Sequence, residues 1–213
     1  MTPLEAIRTH RLVPLVEIRD ASTAGELAAT FVAAGLPILE VGLRTEVAIE
    51  ALRNAAAHKG SLTLAAGTVT SPEQVKLAMD AGADLIVSPG LNSLVIEYCI
   101  KNDIPIVPGV CTPTEIETAR NYGLRTLKFF PAEAYGGVRT LRALGDVYKG
   151  FGFVPTGGIN LQNLNDYMKL PTVVACGGSW MAPADTIQAR KFDVIAEAVR
   201  QSVSLVKAMR GAS

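Results

Sequence analysis

Histidine is nearly absent from this 213-residue chain: His10 and His58 are the only two. A divalent-metal aldolase or hydrolase of this size spends several imidazoles on its ion, so a metal mechanism is not expected. Cysteine is also scarce. Cys99, Cys111 and Cys176 stand alone, odd in number and without CxxC spacing, which suits packing thiols in a reducing compartment and not a disulfide framework. No charge dominates, since Lys plus Arg and Asp plus Glu both total 20. That balance argues against nucleic acid or an anionic membrane surface as the main partner. No uninterrupted apolar run approaches the ~18 residues of a membrane span. The N-terminal MTPLEAIRTHR carries an acid and no apolar stretch, so no leader and a soluble cytoplasmic protein are expected. Linker-like segments and shifts of composition are missing too, which predicts one domain over residues 1–213.

What the chain does have is hydrocarbon, 49% of its residues, arranged in short β-rich runs that alternate with helical patterns. The runs are LVPLVEI (12–18), PILEVGL (37–43), LTLAAG (62–67), DLIVS (84–88), IPIVPGV (104–110), TLKFF (126–130), GFVPT (152–156) and TVVACG (172–177). Their ends, at Glu17, Leu43, Gly67, Ser88, Val110, Phe130, Thr156 and Cys176, are 20 to 26 residues apart. One β-strand and one helix fit each interval. Ser71-Pro-Glu-Gln74 and Thr112-Pro-Thr-Glu115 read as capping boxes with Pro at the first helical position. In AAGLPILEV, DAGADLIVS and NYGLRTLKF a glycine precedes the next strand as a left-handed helix end. The pattern predicts an α/β fold, a single (β/α)8 TIM barrel with an N-terminal helical segment. In such barrels the active site lies at the carboxyl ends of the strands.

Alternation along ILEVGLRT puts Glu40, Gly42 and Arg44 on one face and Leu39, Val41 and Leu43 on the other. The apolar face belongs against helices, so Glu40 and Arg44 are expected inside, as catalytic groups or as a buried ion pair. The same parity turns Lys128 and Phe130 inward from the sixth run. Lys128 is the only inward lysine on a predicted strand. Burial penalises the ammonium, and a neutral amine attacks carbonyls; a snorkelling lysine or a salt-bridge partner for Glu40 is the alternative. PTGGI (155–159) and CGGSW (176–180) follow the last two strands, where backbone N–H groups freed by glycine often hold a phosphate, with Asn160 or Ser179 as an added donor; plain tight turns are the other reading. Thr68 reads as a carboxylate-binding hydroxyl or a helix-entry cap. Pro89 shapes a wall.

Taken together, EVGLRTE (40–46), AAGTV (65–69), SPG (88–90), PGVCTPTE (108–115), KFFPAEAYGG (128–137), VPTGGI (154–159) and GGSW (177–180) resemble the 2-keto-3-deoxy-6-phosphogluconate (KDPG) aldolases, some of which cleave 4-hydroxy-2-oxoglutarate (KHG). The resemblance spans essentially the whole chain. It implies a cofactor-free Schiff-base aldolase, usually homotrimeric, that releases pyruvate and glyceraldehyde 3-phosphate in the Entner–Doudoroff pathway. It further implies Lys128 as the imine-forming lysine, Glu40 as the general acid/base, and Arg44 and Thr68 at the keto-acid carboxylate. Pro89 and Phe130 would shape the site, with Gly157, Gly158, Gly178 and Ser179 at the phosphate. Relatives often carry GAGT where this chain has Ala65-Ala-Gly-Thr68, Thr where it has Gly42, and a basic or apolar residue where it has Glu17. These departures bear on substrate choice more than on reaction type. Glu17, set to pair with Arg19 or Arg44, has no role assigned.

Overall fold

A computed structural model describes residues 1–211; residues 212 and 213 of the expected domain lie outside the described residues. The chain begins with helix α1 (Pro3–His10), whose Thr2 cap accepts from Glu5 N while the Glu5 carboxylate accepts from Thr2 N. Nine strands follow, each close to an expected run: β1 (Leu12–Val16), β2 (Ile38–Gly42), β3 (Thr63–Gly67), β4 (Leu85–Val87), β5 (Ile106–Val107), β6 (Gly109–Val110), β7 (Thr126–Phe129), β8 (Gly152–Pro155) and β9 (Cys176–Gly178). Between them lie α2 (Ala24–Ala33), α3 (Ala48–Ala57), α4 (Pro72–Asp80), α5 (Ser93–Lys101), α6 (Pro113–Asn121), α7 (Gly137–Val147) and α8 (Leu164–Met168). Helices α9 (Ala184–Gln188) and α10 (Phe192–Gly211) close the order.

All pairings are parallel. One sheet of six strands curls in the order β5-β4-β3-β2-β1-β9, and a second of three runs β6-β7-β8. Isolated bridges, Phe153 with Val173 and Thr156 with Gly177, connect the β8 segment to the chain around β9. The fifth run, expected as one strand, is divided at Pro108, because proline brings no N–H to the ladder; its carbonyl still accepts from Lys128 N at 2.9 Å. The eighth run also differs. Its strand starts at Cys176, later than the expected 172, while the chain at Val173 makes an isolated bridge to Phe153.

The local signals explain the helix limits. Gly35, Gly82 and Gly123 have φ of 84°, 95° and 76°, the left-handed conformation that ends a helix without the strain a Cβ would bring. Thr112 and Glu115 form the reciprocal box expected at α6. At α4 only half of it forms. Ser71 Oγ accepts from Gln74 N at 3.3 Å, but the Gln74 carboxamide oxygen takes Thr70 N and Thr70 Oγ1 instead of reaching back to Ser71.

One buried apolar cluster extends from Ile7 to Val206. Leu39 and Val41 are fully buried beneath α2 and α3, each worth roughly 1.5–3 kcal/mol in area removed from water. That leaves Glu40 on the opposite, inward face. Among the described residues no helix is long and apolar enough to cross a membrane.

Candidate active site

Two inward charges meet. Lys128 on β7 and Glu40 on β2 are both buried, and Lys128 Nζ lies 3.1 Å from Glu40 Oε1. Neither charge is stable in a low-dielectric interior alone, so each is held by the other. The Phe130 ring centroid is 5.3 Å from the same ammonium, within range of a cation–π contact. Backbone bonds fix the lysine's direction: Lys128 N donates to Pro108 O, and Lys128 stands between Gly109 and Val154 in the ladder.

Glu40 is held by a residue the sequence reading passed over. A Cβ on Gly67 would run into Glu40 Oε1 and lie 2.7 Å from its Cγ, so only glycine leaves the carboxylate where it is. The signal was present in AAGT, as a glycine at a strand end one strand from an inward acid. Its meaning needed the register, in which Glu40 pairs with Ala65 and Gly42 with Gly67.

Arg44 departs from its expected place. β2 ends at Gly42 and the chain turns, with Arg44 N donating to Gly42 O at 2.8 Å, so strand parity no longer governs the side chain. Arg44 is exposed at the mouth and donates from Nε to Thr68 Oγ1 at 3.2 Å. The buried partner of Glu40 is Lys128, not Arg44. Thr68 itself has φ 59°, a left-handed conformation that is costly for a β-branched residue and concentrates at functional sites.

Beyond β8, Gly157 and Gly158 have φ of 100° and 82°, and Gly157 O accepts from Glu133 N at 3.1 Å. The Glu133 side chain crosses Gly158, where a Cβ would lie 2.5 Å from its Cγ, and its carboxylate accepts from the Tyr167 hydroxyl. Burial, and then the neighbouring Glu133 carboxylate, push the Tyr167 phenol far above its ordinary range. Beyond β9, Gly178 is buried against the Trp180 ring and Ser179 is exposed. Asn160 holds the turn that follows Gly158: its Oδ1 accepts from Gln162 N and Asn163 N, and its Nδ2 donates to Gly158 O at 3.4 Å.

Pro89 lines a surface cavity with Val69, Thr70 and Leu91. Its carbonyl packs so closely on Gly109 that a Cβ there would overlap it. Next along the chain, Cys111 donates from Sγ to Glu115 Oε2 at 3.4 Å, and burial pushes its thiol up. Cys99 is pushed up to about 11 by burial alone. Both are suited to packing.

These elements define a class, a parallel α/β protein with an amine and a carboxylate buried together below the carboxyl ends of its strands. The family follows from comparison. The sequence model of the KDPG and KHG aldolases matches residues 4–198, and the chain belongs to that family. It is 41% identical over 204 residues to the 2-dehydro-3-deoxy-phosphogluconate aldolase of Haemophilus influenzae, covering 96% of each chain. With the KHG/KDPG aldolase of Escherichia coli it shares 38% over 201 residues, 94% of each. The fold superposes with TM-score 0.90 on the KDPG aldolase of Legionella pneumophila, captured with pyruvate as a covalent carbinolamine. That protein is 35% identical, and the match covers 94% of this chain and 98% of the other.

Proposed function

We propose that this chain is a Schiff-base aldolase that cleaves 2-dehydro-3-deoxy-6-phosphogluconate to pyruvate and glyceraldehyde 3-phosphate, with the two sheets acting as one closed (β/α)8 barrel in a single domain. The observation that carries the reading is the buried contact of Lys128 Nζ with Glu40 Oε1 at 3.1 Å. An amine out of water and beside a proton acceptor is what imine formation requires. Family membership and the likeness to a protein that holds pyruvate covalently support the same reaction. Closure of the barrel is supported by the isolated bridges from Phe153 and Thr156 to the chain around β9 and by the short break at Pro108.

Glu40 takes up the proton that Lys128 sheds, and the amine attacks the C2 ketone to give a carbinolamine. Loss of water, assisted by Glu40, yields an iminium. Glu40 then removes the C4 hydroxyl proton, the C3–C4 electron pair moves towards the iminium nitrogen, and the aldehyde departs. Protonation of the enamine at C3 and hydrolysis release pyruvate and restore the amine. Arg44 and Thr68, already paired at the mouth, bind the carboxylate, and Phe130 and Pro89 form the wall. Gly157, Gly158, Gly178 and Ser179 bind the distal phosphate through N–H and hydroxyl donors. A homotrimer, a cytoplasmic setting and a place in the Entner–Doudoroff pathway belong to the same reading, through the family resemblance.

Borohydride reduction in the presence of pyruvate tests it. The expected product is a pyruvyl adduct on the peptide containing Lys128. No adduct, under conditions that trap a known imine enzyme, would overturn the reading.

A further inference from the structure

The steps above leave one acid at the mouth unused. In β1, Leu15 pairs with Glu40 of β2. Paired residues of a parallel ladder share a face, and side chains alternate. Leu15 therefore lies on the inward face, and Glu17, just past the strand end, lines the same cavity as Leu15. The neighbouring strand offers no side chain at that level, because the residue there is Gly42. The nearest atoms a Cβ on Gly42 would meet are Leu15 Cδ1 at 3.5 Å, Val16 O at 3.5 Å and Thr68 Oγ1 at 3.6 Å, ordinary contact distances.

At the mouth a cavity of about 240 Å³ is lined by Glu17, Arg19, Arg44 and Ser179 with Leu15 and Pro183. Arg19 Nε holds Glu17 Oε1 at 3.2 Å, while Arg19 Nη1 holds Asp185 Oδ1 at 3.0 Å. Its charge is thus shared between two carboxylates, and among the described residues Arg19 is the one hydrogen-bond partner of Glu17. The glutamate keeps an acceptor oxygen for the cavity, and a carboxylate there rewards an O–H donor and opposes an anion. Arg44 and Ser179, proposed above for the two ends of the substrate, line the same cavity.

We propose that Glu17 is a specificity-determining residue: it accepts a hydrogen bond from a chain hydroxyl of a polyhydroxylated 2-oxo acid and disfavours one whose aldehyde-derived end is a second carboxylate. This rests on the aldolase reading and sharpens it. The polyol phosphate is preferred to 4-hydroxy-2-oxoglutarate because its C5 carries a hydroxyl, with the phosphate one carbon further on at the glycine loops, whereas the shorter acid has its second carboxylate at C5, against Glu17.

The test measures kcat/KM for condensation of pyruvate with glyoxylate and with D-glyceraldehyde, in the parent protein and in Glu17→Gln, Glu17→Asp and Arg19→Gln. The side chains of Glu17 and Arg19 are 34% and 51% exposed, so the variants should fold. Glu17→Gln should raise the glyoxylate to glyceraldehyde ratio at least about fivefold, the scale of one like-charge contact in water. Glu17→Asp should keep the parent's ranking. Arg19→Gln, which removes the compensating cation and leaves the acid, should move the ratio the opposite way. An unchanged ratio in Glu17→Gln, or shifts of the same sign in Glu17→Gln and Arg19→Gln, would overturn the proposal. Borohydride trapping of pyruvate on the parent separates the two readings. If Lys128 is trapped and the ratio stays constant, only the role of Glu17 falls; without trapping, both fall.

Discussion

Lys128 Nζ of β7 and Glu40 Oε1 of β2 are 3.1 Å apart with side chains only 4% and 2% exposed, although 88 residues separate them in the chain. At such burial each charge is tolerable only because of the other. Lys128→Met and Glu40→Leu should each destabilise the fold by about 3 kcal/mol, and the double variant should be more stable than either single one. Urea denaturation checks this, and strictly additive losses would count against the coupling. All three variants should fail to condense pyruvate with an aldehyde.

Gly67 supports that pair through the space it leaves. With a methyl group there the Glu40 carboxylate must move, since Glu40 Cγ would be 2.7 Å from the new carbon. Gly67→Ala should lower kcat about 100-fold, the scale of a 1 Å misplacement of a reacting group. A loss under about threefold would show that Glu40 reaches the substrate from more than one position.

Ser179 is exposed beside the buried Gly178, so its hydroxyl carries little of the fold. Ser179→Ala should leave the melting temperature within about 1 °C of the parent. The kcat/KM preference for the 6-phosphate over the unphosphorylated keto acid should fall about tenfold, one hydrogen bond to a charged group. An unchanged preference would remove Ser179 from the phosphate site.

Glu115 links stability to pH. Burial raises its carboxyl, but Cys111 N at 2.8 Å, together with the hydroxyl and N–H of Thr112, outweighs this and holds it below the ordinary value of 4.5. A lowered folded value means stabilisation that is complete above the unfolded value and lost as pH falls through the folded one. Glu115→Ala should therefore cost about 1 kcal/mol at neutral pH. The gap to the parent should narrow below about pH 4. Denaturation at both pH values reads it, and a gap of constant size would mean that the charge has no part in the cap.

Much of this was legible in the chain because its causes are local. Alternation alone turned Glu40 and Lys128 inward, and both are buried. Glycine before a strand marked three left-handed helix ends, at Gly35, Gly82 and Gly123. Where reading failed, a neighbour decided. Gln74 had Thr70 as a second suitor, Arg44 lay just past the end of its strand, and the cost of Pro108 fell on a ladder formed with other strands.

The amino-acid sequence by itself determined which strand side chains share a face, where α4 and α6 start and where α2, α4 and α6 stop, since pleat, capping bonds and glycine's left-handed conformation act over a few residues. Only the tertiary structure decided that the inward face of β2 meets the inward face of β7, that Gly67 lies against Glu40, and that Glu17 shares a cavity with Arg44 and Ser179. Those contacts depend on strand order and register, which are set by how the whole sheet curls to bury its apolar face.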